Sequence, residues 1–141
     1  MKHTMLRCGW GLTLLWIAAC GGSDATAPPA GQEEPATAGC RDSTLAGTAA
    51  LYRVCFPSTW NGDLVVYAHG YVKADEPLAI PDDQVQGQAV QDIVTGLGYA
   101  YATTSYRANG LVADQGAEDV ASLVETVRAR FQPDPARTLC L

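Results

Sequence analysis

One stretch of the sequence constrains the fold more than any other: the apolar run 64–68, which leads directly into His69-Gly70. The run has no polar alternation and contains the β-branched residues Val65 and Val66. Such a run is typical of a strand that is covered on both faces, as in a parallel sheet. Gly70 lets the backbone turn sharply where the strand ends. We therefore predict a buried strand followed by a tight loop whose backbone N–H groups are free to face a ligand.

The N-terminus has the pattern of an export signal. Two cations, Lys2 and Arg7, precede an apolar segment that is too short to span a bilayer permanently. The run 17–21, Ile-Ala-Ala-Cys-Gly, resembles a bacterial lipobox, in which Cys20 becomes the lipidated N-terminus. We predict a lipoprotein signal peptide over 1–19 and a protein exported to the outer membrane or cell surface, with the membrane as its partner through Cys20. The alternative is an ordinary secretory signal in which Cys20 is incidental.

Composition divides the remaining chain and limits its partners. Residues 20–39 are small, polar or proline and predict a disordered tether, which leaves 40–141 as the folded domain. Without residues 1–19, seven cations face fifteen carboxylates, a net charge of −8. Because phosphate neutralisation supplies most non-specific affinity for nucleic acid, we predict no nucleic-acid partner. Neither a C-x-x-C pair nor a Cys/His cluster with metal-ligand spacing occurs, so we predict no metal and no cofactor.

The cysteines of the folded part have different expected roles. Cys40 and Cys55 are predicted to form a disulfide, because the exported compartment is oxidising. Two separate thiols are the alternative. Cys140 has no partner left and lies in an apolar run, so we expect it to be a small buried hydrophobic residue.

Periodicity and turn signals predict an alternation of strands and helices. We expect a first strand over 48–56, a turn at Asn61-Gly62, and then the apolar strand, with which the first strand could pair antiparallel. A helix over 82–97, a strand over 99–104, a helix over 114–131 and a strand from Arg137 onward follow. This order predicts a mostly parallel sheet with helices on its faces.

Several motifs in this order resemble the N-terminal half of a secreted bacterial α/β-hydrolase of the esterase, lipase or serine-peptidase kind. They are Trp60-Asn61-Gly62, His69-Gly70-Tyr71, Leu97-Gly98-Tyr99, Ser105-Tyr106-Arg107-Ala108-Asn109-Gly110 and the pair Glu118-Asp119. The resemblance implies the N-terminal half of an α/β-hydrolase fold. It also implies that the loop after the apolar strand contributes to an oxyanion hole.

On this resemblance, the backbone N–H of Tyr71 stabilises the negative oxygen of a tetrahedral intermediate, and Val72 is the alternative donor. His69 and Gly70 are structural residues near the site, with the His69 ring bonded to loop backbone. The alternative for His69 is a satisfied histidine in a turn of an unrelated α/β protein. The Tyr71 side chain either lines an acyl or leaving-group pocket or packs under the loop.

The catalytic triad of such an enzyme is absent from this sequence. The G-x-S-x-G motif should directly follow the strand that begins near Thr138, and none of Ser58, Ser105 and Ser122 has glycines at the required spacing. The two histidines are His3 and His69. We therefore expect a fragment of a serine-dependent hydrolase of small esters or amides, carboxylic esters first, which is inactive alone. The alternative is a non-catalytic cell-envelope lipoprotein with a small α/β binding module.

Two further expectations concern the chain beyond the apolar strand. Arg107 could bind a substrate carboxylate, but pairing with Asp114 or solvent is the favoured interpretation, and Asp119 could anchor the loop of Arg107. The strand from Arg137 onward is expected to have an uncovered apolar edge, which favours association with another chain.

Overall fold

A computed structural model describes residues 34–132 and 135–141, so the predicted signal peptide and Cys20 lie outside the described residues. In chain order the elements are β1 (Glu34–Pro35), β2 (Gly39–Thr44), β3 (Leu51–Phe56), β4 (Asp63–Tyr67), β5 (Gln84–Val85), β6 (Gln88–Ala89), α1 (Val90–Gly96), β7 (Ala100–Thr104), α2 (Ala113–Arg130), β8 (Phe131–Gln132) and β9 (Arg137–Cys140). Neither described helix combines the length and the hydropathy that a membrane-spanning segment requires.

Five of the strands form the central sheet, in the order β2-β3-β7-β4-β9. β3 is antiparallel to both β2 and β7, whereas β4 is parallel to both β7 and β9. The prediction of a mostly parallel sheet, as the N-terminal half of an α/β-hydrolase fold, is therefore wrong: the sheet is mixed, and the described residues contain two helices. For β2 and β3 the physical reason lies in the short connection 45–50, because a short link can join antiparallel strands but not parallel ones. The antiparallel pairing of β3 with β7 is the second departure from a parallel sheet.

The predicted pairing of β3 with β4 is also wrong, since β7 lies between them. Asn61 donates its backbone N–H to the carbonyl of Gly98 at 2.9 Å, and this bond holds the connection from β3 to β4 beside the start of β7. The Asn61 side chain accepts the N–H of Asp63 at 2.9 Å, and Gly62 has a φ of 91°. The Asn-Gly pair therefore begins β4 instead of closing a two-residue hairpin.

The helix predicted over 82–97 begins late, at Val90. Its first part is instead a small hairpin of β5 and β6, in which Gln86 and Gly87 have φ angles of 53° and 81°. Two successive residues with positive φ are the geometry of a two-residue hairpin turn and are incompatible with a right-handed helix. Val85, which the helical pattern assigned to a buried face, is 54% exposed.

The second predicted helix and the strands around it are confirmed. α2 spans Ala113–Arg130, one residue from the predicted bounds at each end, and Arg128 and Arg130 lie in its last turn, where the helix dipole favours cations. β4, β7 and β9 begin within one residue of their predicted starts. In β4 and β7 the apolar residues that predicted the strand are buried, except for the half-buried last residue of β4, and in α2 Leu123 and Val127 are buried.

The two helices cover opposite faces of the sheet. Leu64 and Val66 of β4 share the larger core with α2, whereas Val65 faces the smaller core with α1. This alternation is the period of two that a strand imposes on its side chains. It explains why the run 64–66 contains no polar residue, since both faces of β4 are covered.

Two of the three cysteines in the folded part form a disulfide, and part of the predicted tether forms strands. Cys40 and Cys55 are joined by a disulfide, at directly paired positions of β2 and β3. Cys140 is a free thiol and is exposed, so the prediction of a buried residue is wrong: β9 is an edge strand. Within the stretch assigned to the tether, β1 pairs in parallel with β8 and Gly39 begins β2.

Candidate functional site

The loop that follows β4 leaves a series of backbone donors without a partner. Ala68 makes the last ladder bond, from its N–H to the carbonyl of Leu141 at 3.1 Å. Beyond it, the N–H groups of Gly70, Tyr71 and Val72 donate to no group among residues 34–132 and 135–141. These are the amides that the sequence predicted to be free, and they include both expected oxyanion donors.

The carbonyl groups of the same loop are held firmly. The Tyr106 hydroxyl donates to the carbonyl of His69 at 2.9 Å, and His69 Nδ1 lies 2.8 Å from the carbonyl of Gly70. In a trans peptide unit the N–H points away from the C=O. Fixing the carbonyl of His69 therefore fixes the N–H of Gly70, and fixing the carbonyl of Gly70 fixes the N–H of Tyr71. The loop thus holds two unpaired donors in defined directions.

His69 has contacts that suit a structural role. Its ring stacks on the ring of Tyr106, with centroids 4.1 Å apart and planes 22° apart. Because a carbonyl oxygen can only accept a hydrogen bond, Nδ1 carries a proton and donates it to the carbonyl of Gly70. Nε2 is buried and has no partner among the described residues. No carboxylate among the described residues pairs with this ring. His69 therefore lacks the acidic partner that orients a histidine acting as general base.

Tyr106 is held in place by the loop that carries it. Its φ is 57°, unusual for a residue other than glycine, and its N–H donates to Thr104 Oγ1 at 3.2 Å. The next residue, Arg107, donates its backbone N–H to Asp119 Oδ2 and its Nε and Nη2 to Asp119 Oδ1, at 2.7, 2.9 and 2.7 Å. Bonding to Asp119 raises the pKa of Arg107. The expected anchoring by Asp119 is confirmed.

Arg107 therefore has a different partner from the one expected. Its second ion pair, 3.2 Å long, is with Glu118 and not with Asp114. A guanidinium that already holds two carboxylates has little capacity left for a substrate carboxylate. The loop 105–110 is thus tied to α2, and through Tyr106 it supports the loop after β4.

A cavity of about 580 Å³ lies between the loop after β4 and the beginning of α2. Its walls are residues 68–71, Tyr106, residues 110–113, Gly116, Ala117 and Val120. A second cavity, of about 250 Å³, shares residues 69–71 and continues to Asp82 and Asp83. The Tyr71 side chain is 66% exposed and lines both cavities, so it does not pack under the loop.

The described residues contain no nucleophile paired with a base. Ser105 is buried, accepts the N–H of Leu51 at 3.0 Å and donates its proton to the carbonyl of Tyr106 at 2.9 Å, so no base takes that proton. The described part of the chain also brings together no group of three His, Cys, Asp or Glu side chains that could hold a metal ion. What the site provides is a pair of oriented amides beside an apolar cavity.

Two contributors to the site have little signal in the sequence. Tyr106 lies within a recognised motif, but its contact with His69 spans 37 residues and depends on its positive φ. Gly116 lies inside α2 against the Tyr106 ring, where a Cβ would be in van der Waals contact with three of the ring atoms, at 3.5 Å. A glycine within a helical pattern is a signal of close packing.

Comparison of the chain with protein-family models, curated proteins and solved structures finds no match.

Proposed function

We propose that the loop after β4 is the carbonyl-binding part of a serine-dependent hydrolase of carboxylic esters, with the nucleophile, acid and base supplied by residues outside this chain. The observation that carries the proposal is the pair of unpaired amides, Gly70 and Tyr71, whose directions are fixed by held carbonyls. When a serine attacks an ester carbonyl, the carbonyl oxygen becomes negative. One donor at that oxygen contributes about 3 kcal/mol to the transition state.

The chain alone is expected to bind a carbonyl compound without hydrolysing it. The test is an NMR titration of the ¹⁵N-labelled, oxidised 141-residue chain with N-methylhexanamide, a neutral carbonyl ligand. The amide resonances of Gly70 and Tyr71 should shift. Unchanged resonances at both residues would refute the carbonyl-binding role, and turnover of 4-nitrophenyl acetate above the background rate would refute the external nucleophile.

A pair of variants separates the donor from the side chain that carries it. Tyr71→Pro removes the backbone N–H, whereas Tyr71→Ala removes the ring and keeps the N–H. We expect Tyr71→Pro to weaken binding about tenfold, the value of one hydrogen bond, and Tyr71→Ala to weaken it less. The same pair at Val72 tests the alternative donor. If only Val72→Pro weakens binding, the donor is Val72.

A non-catalytic binding module is the second candidate, and one observation favours it: the described residues contain no nucleophile–base pair. It shares the cavity but needs no oriented donor. Binding that survives both Tyr71→Pro and Val72→Pro would favour this candidate. For the location we propose an exported protein anchored through lipidated Cys20, and Cys20→Ala should release it from the membrane fraction.

A further inference from the structure

The larger cavity has a wall without charge. Among the described residues that line it there is no Asp, Glu, Lys or Arg, and its α2 side is formed by Gly116, Ala117 and Val120. Leu111 stands at the same cavity with 97% of its surface exposed. Its volume lies within the roughly 300–1,000 Å³ that is usual for small-molecule sites. Such a wall favours apolar groups and offers no cationic side chain to a carboxylate.

The smaller cavity on the other side of the loop has the opposite character. Asp82 and Asp83 are exposed there, and the two cavities share His69, Gly70 and Tyr71. A carbonyl group bound at the amides of Gly70 and Tyr71 would therefore have an apolar side and an acidic side. Of the two substituents of an ester carbonyl, an apolar acyl chain is compatible with the first side only.

On the basis of the proposed function, we propose that the larger cavity holds the acyl chain of a neutral ester and excludes acyl chains that end in a carboxylate. The acyl chain lies in the space between the loop after β4, residues 110–113 and the exposed side of α2 at Ala117 and Val120. Each methylene that enters the cavity strengthens binding about three- to fourfold, because apolar surface leaves water. A terminal carboxylate loses hydration and finds no cation in the wall.

The experiment measures the affinity of the purified, oxidised 141-residue chain for N-methylamides of butanoic, hexanoic and octanoic acid. Affinity should rise about tenfold for each pair of methylenes. The mono-N-methylamide of octanedioic acid, which has the same chain length but ends in a carboxylate, should bind at least tenfold more weakly than N-methyloctanamide. Equal affinities along the series, or equal binding of the carboxylate, would overturn the proposal.

Two variants test the location of the acyl chain. Ala117→Phe places a ring in the cavity from the α2 side, and Ala121→Phe adds the same ring one turn further along the helix, outside the lining residues. Ala117→Phe should abolish the dependence on chain length, and Ala121→Phe should preserve it. A length dependence that survives Ala117→Phe would place the chain elsewhere and overturn the proposal.

The outcomes distinguish this inference from the function on which it rests. If N-methylbutanamide shifts the amide resonances of Gly70 and Tyr71 but longer chains bind no better, the carbonyl site is supported and the acyl site is refuted. If the affinity rises with acyl-chain length while those amide resonances do not shift, the cavity binds apolar chains and the oxyanion role is refuted.

Discussion

Asp119 is completely buried on α2, and both of its carboxylate oxygens bond to Arg107. One of these bonds comes from the backbone N–H of Arg107, so the carboxylate fixes the path of the main chain directly after Tyr106. Tyr106 in turn holds the carbonyl of His69. The buried carboxylate of Asp119 thus supports, through Arg107 and Tyr106, the loop that carries the proposed donors.

Replacing Asp119 tests this support. Asp119→Asn keeps the shape but removes the charge that accepts three hydrogen bonds, so we expect the free energy of unfolding to fall by about 2 kcal/mol. Urea denaturation measures the change. Glu118→Gln is the matched control: Glu118 pairs with the same guanidinium but its side chain is 66% exposed, and its loss should change stability by less than about 0.5 kcal/mol. Equal effects would contradict the assigned importance of burial.

Tyr101 predicts a pH dependence on the alkaline side. Burial raises its pKa to about 12, from the ordinary value of 10. A raised pKa means that the folded state retains the proton longer than the unfolded state. The stabilisation is therefore complete below pH 10 and is lost as the pH rises from 10 towards about 12. We expect Tyr101→Phe to make the loss of stability over this range less steep, as measured by urea denaturation at each pH. An unchanged slope would contradict the prediction.

At the scale of elements, the disulfide joins the edge strand β2 to β3, across a sequence separation of 15 residues. Replacing both Cys40 and Cys55 by Ala should lower the free energy of unfolding by about 3 kcal/mol, because the unfolded chain regains the entropy of the open loop. Urea denaturation of the oxidised proteins measures the change. Cys140→Ala, at an exposed free thiol, is the control and should have no effect. A double variant as stable as the parent would refute the estimate.

The hairpin of β5 and β6 contains a residue that is poorly suited to its conformation. Gln86 has a φ of 53°, and asparagine adopts this region more readily. We expect Gln86→Asn to stabilise the protein by about 0.5 kcal/mol, since it creates the Asn-Gly pair that such turns favour. Gln88→Asn, in β6 of the same hairpin, is the control and should not stabilise. A loss of stability in Gln86→Asn would show that the turn geometry is not limiting.

The elements with strong local patterns were predictable from the sequence, and those set by distant contacts were not. In the segments around Val65 and Leu123, the apolar residues keep one spacing along the whole segment. These segments form β4 and α2. The late start of α1 depends on positive φ at Gln86, which leaves no mark in the apolar period. The insertion of β7 between β3 and β4 depends on the ladders that β7 forms with both strands, which lie far away along the chain. The position of the loop at His69-Gly70 was likewise predictable, but the role of Tyr106 was not.

At the scale of the whole molecule, β9 is the last strand of the central sheet, and no strand of the described residues pairs with its outer edge. Leu141 directs both its N–H and its C=O to β4, towards Val66 and Ala68. Successive residues of a strand direct these groups to opposite sides, so Cys140 and Thr138 direct theirs away from the sheet. Leu139 and Leu141 are 45% and 69% exposed along the same edge. This agrees with the uncovered apolar edge expected from the sequence.

Such an edge predicts association that increases with protein concentration. Leu139→Lys places a charge on the edge and should keep the protein monomeric in sedimentation velocity experiments at concentrations where the parent associates. Leu97→Lys adds the same charge at an exposed leucine after α1 and should leave association unchanged. If the parent chain is monomeric at every concentration, the edge is not adhesive and the prediction fails.

The outward backbone groups of Thr138 and Cys140 also bear on how the polypeptide is handled in the laboratory. Freezing and ultrafiltration both crowd molecules together, and we expect either step to increase association at this edge. We expect a short synthetic β-strand peptide, added in excess during purification, to compete for the edge and to reduce that association.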